Sequence, residues 1–535
     1  KLVYEQYKDG NLAGTVEVAE GLLTPGKVYK TGTIVFGENG VGTYDASSTA
    51  SEYRDDIQIV EDNYYGTKAR EYWKEAGVSD GKGNYTFDRN ETITASRYNQ
   101  TLKDNSENNY FVNKLNMYAP IMKGGDSTTN IDMQGHDLTL VADHGGVSVD
   151  PAGIYVTSGT LNINNTGAVT SQTKDAAVGY GLYVQGTSGM GTWASGNGHA
   201  KLVINNDDSK DHAVNVSVAS DENYGLLVAE GNTGSADLIV KGLVNAETDK
   251  HNAIRSLAGN IDIGGGTISS TDWGAVYTNF GGRVAINGAL DEYNDVHITS
   301  DKRDVKVTGD INAEGKGSVI LGLGTKDSYF TGVVNADIVD LVHPGETYVQ
   351  ESNGVLRPKG FDHPVDTKWE VNPGYVSMDL ENGAVWNHQQ VGTRYHLADS
   401  HLADLVSHGG VINQNDNRNI IVDYYDGNSS VFYNHDAADP TNITGGSFTI
   451  KAAAPNSSIT LITSSKGLEK GLVANASDAD KDLVNRTMNI LAGKLKYVQY
   501  GDKDLTGTIE IAEGLLTPSK VYKTGTISFR ESGDQ

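Results

Sequence analysis

Short runs of alternating apolar and polar residues recur along the middle of the chain. Gly153-Ile154-Tyr155-Val156 is followed by Gly181-Leu182-Tyr183-Val184, Gly225-Leu226-Leu227-Val228, Ala253-Ile254 and Ala275-Val276-Tyr277. A period of two is a strand signal, because successive side chains leave opposite faces. The leading apolar positions, 154, 182, 226, 254 and 276, are 28, 44, 28 and 22 residues apart, and the step of 44 is read as two rungs. A second strand follows each: Leu161–Ile163, Leu202–Ile204, Leu238–Val240, Ile261–Ile263 and Val284–Ile286. Asn, Gly, Ser and Asp fill the turns, and they tolerate positive φ. A coil of about 22 residues cannot bury its apolar face alone, whereas stacked coils bury a continuous one. The pattern predicts an all-β chain, a parallel β-helix over 121–345 that resumes over 376–475. About 17 coils over 121–475 would make a rod of roughly 80 Å. A β-sandwich would need regular hairpin turns, and few are present.

Elsewhere the period changes. Tyr65, Ala69, Tyr72 and Ala76, followed by Gly77, are spaced for one short helix. That helix places a small mixed α/β insertion over 43–120. Pro344, Pro358, Pro364 and Pro373 mark residues 346–375 as a protruding loop. Over 476–493, Ser477 with Asp478 and Asp480 forms a helix start, and Val484, Met488, Leu491 and Leu495 a single apolar stripe. Gly493 suits the end of that helix.

The two ends of the chain match. Residues 1–36 reappear as residues 494–529 at a constant offset of 493, with Ala19–Pro25 unchanged as Ala512–Pro518. In both copies apolar and polar residues alternate, as in Val16 and Val18 against Thr15 and Glu17, so each reads as a strand motif. A tandem array is the simpler explanation. The expected organisation is a junction strand motif over 1–42, one full unit, and the start of the next unit over 494–535. Val484, Met488, Leu491 and Leu495 would pack the junction.

Composition narrows the class. Apolar residues are 37% of the 535, Gly numbers 64, Pro 10 and Cys none. A thin core repeated many times fits both the low apolar content and the 28 Tyr. The formal charge of −27 makes nucleic acid and anionic lipid poor partners. A long solenoid needs no disulfides. The chain does not open on a signal peptide, and no run of ~18 apolar residues spans a membrane.

Residues 378–412 contain Leu380, Gly383, Ala384 and Trp386, then Ser400, Leu402 and Leu405, then Gly409, Gly410 and Ile412. This series resembles the C-terminal passenger signature of Gram-negative autotransporters, the type V secretion family. Residues 317–334 and 446–463 also look like passenger coils. The resemblance implies a right-handed β-helix and an adhesive, self-associating or scaffolding role. It also implies a bacterial cell-surface location, anchored through an outer-membrane barrel outside this segment. Leu380, Ala384, Trp386, Leu402, Leu405 and Ile412 would then be core positions.

Catalytic patterns are lacking. No Ser-His-Asp arrangement stands out. Seven of the 13 His lie between His343 and His435, yet His396 and His401 would fall on opposite faces of a strand. Asn206–Asp211 has the composition of a turn, and no EF-hand or G-G-x-G-x-D repeat supports Ca²⁺ binding. No catalytic residue, cofactor or metal ligand is therefore expected. The expected function is a tandem unit of an exported fibre, whose partners are successive units, neighbouring fibres, host glycans or other cells. A β-helical polysaccharide-degrading enzyme and a carbohydrate-binding module on the same rod are the alternatives. By alternation Tyr155, Tyr183 and Tyr277 should form an outward contact row, with Leu227 and Arg255 at the equivalent places.

Overall fold

The computed structural model describes residues 1–20, 27–45, 57–61, 66–96, 117–143, 150–188, 196–336, 348–350, 356–358, 374–392, 399–513 and 520–530. Among them the chain is all-β apart from a few 3-10 turns and two α-helices, α1 (Gly66–Glu75) and α2 (Asp478–Ala492).

Most strands pair in parallel, and they do so in three rows. In the first row Ile121, Ile154, Leu182, Leu227, Ile254, Val276, Ile311 and Val334 stand in register. In the second, Ile131, Ile163, Ile204, Val240, Ile263, Ile286, Leu321, Met378 and Leu405 do the same. The third runs from Ile93 through Leu140, Ser171, Val216, Ala246, Ile268, Val307, Phe330, Trp386, Ile412, Val431 and Leu461 to Ile509. Nearly all of these side chains share one buried core. Thirteen levels at ~4.8 Å make a stack of roughly 60 Å over 93–509, and eleven of them, Leu140 to Leu461, fall within 121–475, where about 17 coils were expected. The difference has a simple cause: each coil holds three strands, not two.

Two further expectations change. Leu182 pairs directly with Leu227, so the step of 44 residues is one enlarged coil. Its strands Val169–Gln185 and Val214–Glu230 are each 17 residues long and run from the third row into the first without a turn. The parallel stack also begins earlier than 121, because Asn84–Thr86 and Glu91–Ser96 already pair in parallel with it. Helix α1 leans on this first coil. Ala69 and Trp73 are buried, and Trp73 Nε1 donates to the Ile59 carbonyl at 2.9 Å. Tyr65 lies outside the described residues, as do Pro344, Pro364 and Pro373. Within 346–375, Tyr348–Gln350 and Leu356–Pro358 form a short antiparallel pair.

Stacking also governs the interior contacts. Trp386 lies nearly parallel to Phe330 on the next level, 5.9 Å between ring centroids, and its Nε1 donates to the Gly332 carbonyl at 3.0 Å. His388 is fully buried between Gln414 and Ser400. Burial drives its pKa down to about 4, so a neutral imidazole donates through one nitrogen and accepts through the other. Leu380, Ala384, Trp386, Leu402, Leu405 and Ile412 are all buried in the core.

Candidate functional site

The matched ends build the same object twice. Residues Gly14–Glu20 pair antiparallel with Lys27–Phe36, Gly14 opposite Ile34 and Val16 opposite Gly32, with a register shift between Val18 and Ala19. Residues Leu505–Glu513 pair with Lys520–Ile527, Gly507 opposite Ile527 and Ile509 opposite Gly525, with the shift between Ile511 and Ala512. Each position is displaced by the same 493 residues. The details repeat too. Tyr4 Oη donates to Asp9 at 2.6 Å, as Tyr497 Oη does to Asp502. Tyr4 meets Phe36 edge to face at 5.5 Å, and Tyr497 meets Phe529 at 5.4 Å. Gly14 and Gly507 are each closed over by a leucine, Leu2 and Leu495, at a distance that leaves little room for a Cβ.

The surroundings of the two hairpins differ. The second is the last level of the stack, since Leu505–Glu513 pairs in parallel with Ser457–Ser464. Helix α2 packs at this end through Val484, Met488 and Leu491, all buried with Leu495 in the main core. Ser477 caps it by accepting from the Asp480 amide, and Lys523 Nζ reaches Asn485 at 3.0 Å. The first hairpin belongs to a separate three-stranded sheet with Gly42–Tyr44. Val18 is 60% exposed where Ile511 is 0%, and Val16 is 40% exposed where Ile509 is 6%.

The expected tyrosine row is corrected. Tyr155, Tyr183 and Tyr277 do lie opposite the main core, but Tyr155 and Tyr183 are covered. They pack with Met117, Ala119, Met122, Ala152, Tyr180 and Val228 in a second cluster. Met117–Tyr118 pairs with Asp150–Pro151 to form that cover. Tyr180 stacks on Tyr183 at 4.2 Å, and the Tyr155 and Tyr183 hydroxyls donate to Gln185 and Glu230. Tyr277 is half-buried and donates to Glu314. A register shift between Gly179 and Tyr180 puts Val228, not Leu227, beside Tyr183 and sends Leu227 into the core.

Other tyrosines are exposed. A hairpin of Gly288–Leu290 and Val296–Ile298 crosses the outer face of the second row. On one side of it Tyr293, Tyr375 and Tyr424, together with Asp295, Lys316 and Asp404, line a cleft of about 640 Å³. Asp404 is buried; one oxygen accepts the Val296 amide at 2.8 Å and the other has no hydrogen-bond partner. Burial pushes its pKa up to about 6. On the other side Asp379 repeats the arrangement, accepting from Ile298 at 2.9 Å with its second oxygen unpartnered. Burial and the neighbouring Glu381 push Asp379 up to about 8.

Among histidines flagged by spacing, His401 pairs with Asp423 at 2.8 Å, and His396 lies outside the described residues. Asn206 is a corner residue: its amide donates to the His212 and Leu243 carbonyls and its oxygen accepts from Gly242. No family model, curated protein or solved structure matches this chain.

Proposed function

We propose that the chain is a repeat unit of a secreted bacterial surface fibre whose body is a right-handed parallel β-helix. In a closed barrel the strands would follow one another around a ring, whereas here partners run in three open rows, one of them thirteen levels deep. Parallel crossovers are right-handed in nearly all proteins, which sets the sense of winding. The autotransporter resemblance is supported by the placement of its apolar signature residues, Leu380, Ala384, Trp386, Leu402, Leu405 and Ile412, in the core.

One observation carries the proposal: the same hairpin, in the same register, ends the stack at 507–527 and stands uncovered at 14–34. In a tandem chain each hairpin closes the unit before it and opens the unit after it. The function is then mechanical, holding an adhesive surface at a fixed distance from the cell, and involves no catalysis. A chain with residues 1–493 placed ahead of all 535 tests this in electron micrographs. Particles should be rods about twice the single-unit length with a constant repeat. Two rods tumbling about a flexible point would overturn it.

The tyrosine cleft favours a second reading, glycan contact on the same rod. Exposed aromatic faces stack on sugar rings, and Tyr293, Tyr375 and Tyr424 offer three of them around one cleft. Tyr293→Ser, Tyr375→Ser and Tyr424→Ser together should abolish binding to a glycan array while the melting curve stays unchanged. Undiminished binding by the folded triple variant would remove this reading.

A further inference from the structure

Asp379 and Glu381 are two residues apart on the strand Tyr375–Glu381, so both side chains leave the face opposite Leu380, which is in the core. The next strand of the stack, Ser400–Gln414, pairs with this one and brings His408 opposite Glu381. Gly409, at φ +80°, turns the backbone just beyond His408 and needs glycine's freedom to do so. Two ligand-type residues on one strand and a third on its neighbour therefore share a single patch. Their carboxylate and imidazole atoms all lie within 4.8 Å of one another.

Carboxylates crowd this patch. Asp379 is 3% exposed, and its free oxygen has no donor facing it. The ion pair described for Glu381 is with His408, Oε1 to Nδ1 at 2.6 Å. Asp404 lies one step further along the neighbouring strand face. Buried carboxylates brought together hold either a proton or a cation, and a metal ion can take the proton's place.

We propose that Asp379, Glu381 and His408 bind a divalent transition-metal ion of the zinc type, joining the coil of 375–381 to that of 400–414. Two carboxylates and an imidazole suit zinc, which takes nitrogen and oxygen ligands in fourfold coordination. Calcium and magnesium prefer all-oxygen shells of six or more ligands. His408 is half-exposed and Glu381 mostly buried, so the patch opens to solvent on the His408 side, where water can complete the shell. Short sequence spacings do not reveal this group, because 27 residues separate Glu381 from His408.

The test uses the full chain, stripped with chelator and titrated with zinc chloride at pH 7 by calorimetry. One saturable site is expected, with a rise in Tm at saturating zinc. His408→Ala should weaken that site at least tenfold, and so should Asp379→Asn. His401→Ala, outside the patch, should bind as the parent does and so controls for surface histidines. Calcium chloride should bind at least tenfold more weakly than zinc. Absence of a saturable zinc site, or an unchanged affinity in folded His408→Ala and Asp379→Asn variants, would overturn the assignment. Tighter binding of calcium than zinc would overturn the metal class.

Discussion

The hairpin at 14–34 and the hairpin at 507–527 differ in environment far more than in structure. Register, bulge, the Tyr–Asp hydrogen bond and the Tyr–Phe contact are the same in both. Docking therefore does not create the hairpin; its own side chains suffice to shape it. What docking adds is burial. Leu505, Ile509 and Ile511 are hidden where Leu12, Val16 and Val18 are exposed. At about 1.5–3 kcal/mol per fully buried aliphatic side chain, covering the first hairpin is worth several kcal/mol. A preformed hairpin with an uncovered apolar face loses little conformational entropy on docking, which suits it to a joint between units.

The largest expected effect comes from placing a charge on that face. Ile511→Asp buries a carboxylate in the core and should cost on the order of 4 kcal/mol, visible in thermal unfolding. Val18→Asp, at the matching position of the open hairpin and opposite Lys30, should stay within about 0.5 kcal/mol of the parent. In the two-unit chain, Val18→Asp placed in the second unit should become as costly as Ile511→Asp. Equal costs for the two substitutions in the single chain would mean that the first hairpin is covered in solution.

Next comes the helix that packs beside one hairpin only. Met488 touches Gly525 from helix α2, and Val484 lies one turn before it. Met488→Asp should cost on the order of 3 kcal/mol. Ser477→Ala removes the cap and should cost about 1 kcal/mol. Both should loosen 505–527 in hydrogen exchange and leave 14–34 unchanged. Protection lost equally from both hairpins would show that they are coupled through the rod.

Acid should separate the stack from its ends. His388 is held near pKa 4 by burial, while an unfolded histidine titrates near 6.5. The unfolded chain therefore binds more protons between those values, and the stability from the neutral imidazole is lost as pH falls from about 6.5 towards 4. His388→Gln should lower Tm overall yet flatten its slope over that window. An unchanged slope would mean that other groups set the acid response.

These contrasts follow what local sequence can encode. Helix α2 was legible because its cap Ser477 and the stripe Val484, Met488 and Leu491 lie within fifteen residues; Leu495, read with that stripe, begins the next strand. The first two strand rows were legible because Ile, Leu and Val alternate with polar residues in them. Most of the third row was not: it includes Ser171, Ala246 and Ile268, the last following Gly264–Gly266 inside the strand Asn260–Ser270, where stacking supplies a burial that the residues do not advertise. Alternation correctly put Tyr155 and Tyr183 opposite the core but could not reveal the cover, since Met117–Tyr118 meets Asp150–Pro151 across more than thirty residues. The group of Asp379, Glu381 and His408 was hidden for the same reason, because its members meet only through the register of successive coils.

The smallest effect is the finest probe of the two hairpins. Tyr497 is buried and its hydroxyl donates to both oxygens of Asp502, at 2.6 and 2.7 Å; burial and that carboxylate raise its pKa. Tyr4 makes the matching bond to Asp9 in solvent, and the bond raises the Tyr4 pKa and lowers that of Asp9. Water can replace the bond at Tyr4 but less readily at Tyr497, whose ring is buried, although Asp502 keeps the Asp504 amide as a donor. Tyr497→Phe should cost about 1 kcal/mol, and Tyr4→Phe should leave Tm unchanged. In the two-unit chain the second unit's Tyr4→Phe should acquire the cost of Tyr497→Phe. If it stays silent there while Val18→Asp becomes costly, the units meet through the apolar face alone and the tyrosine end of the hairpin remains in water.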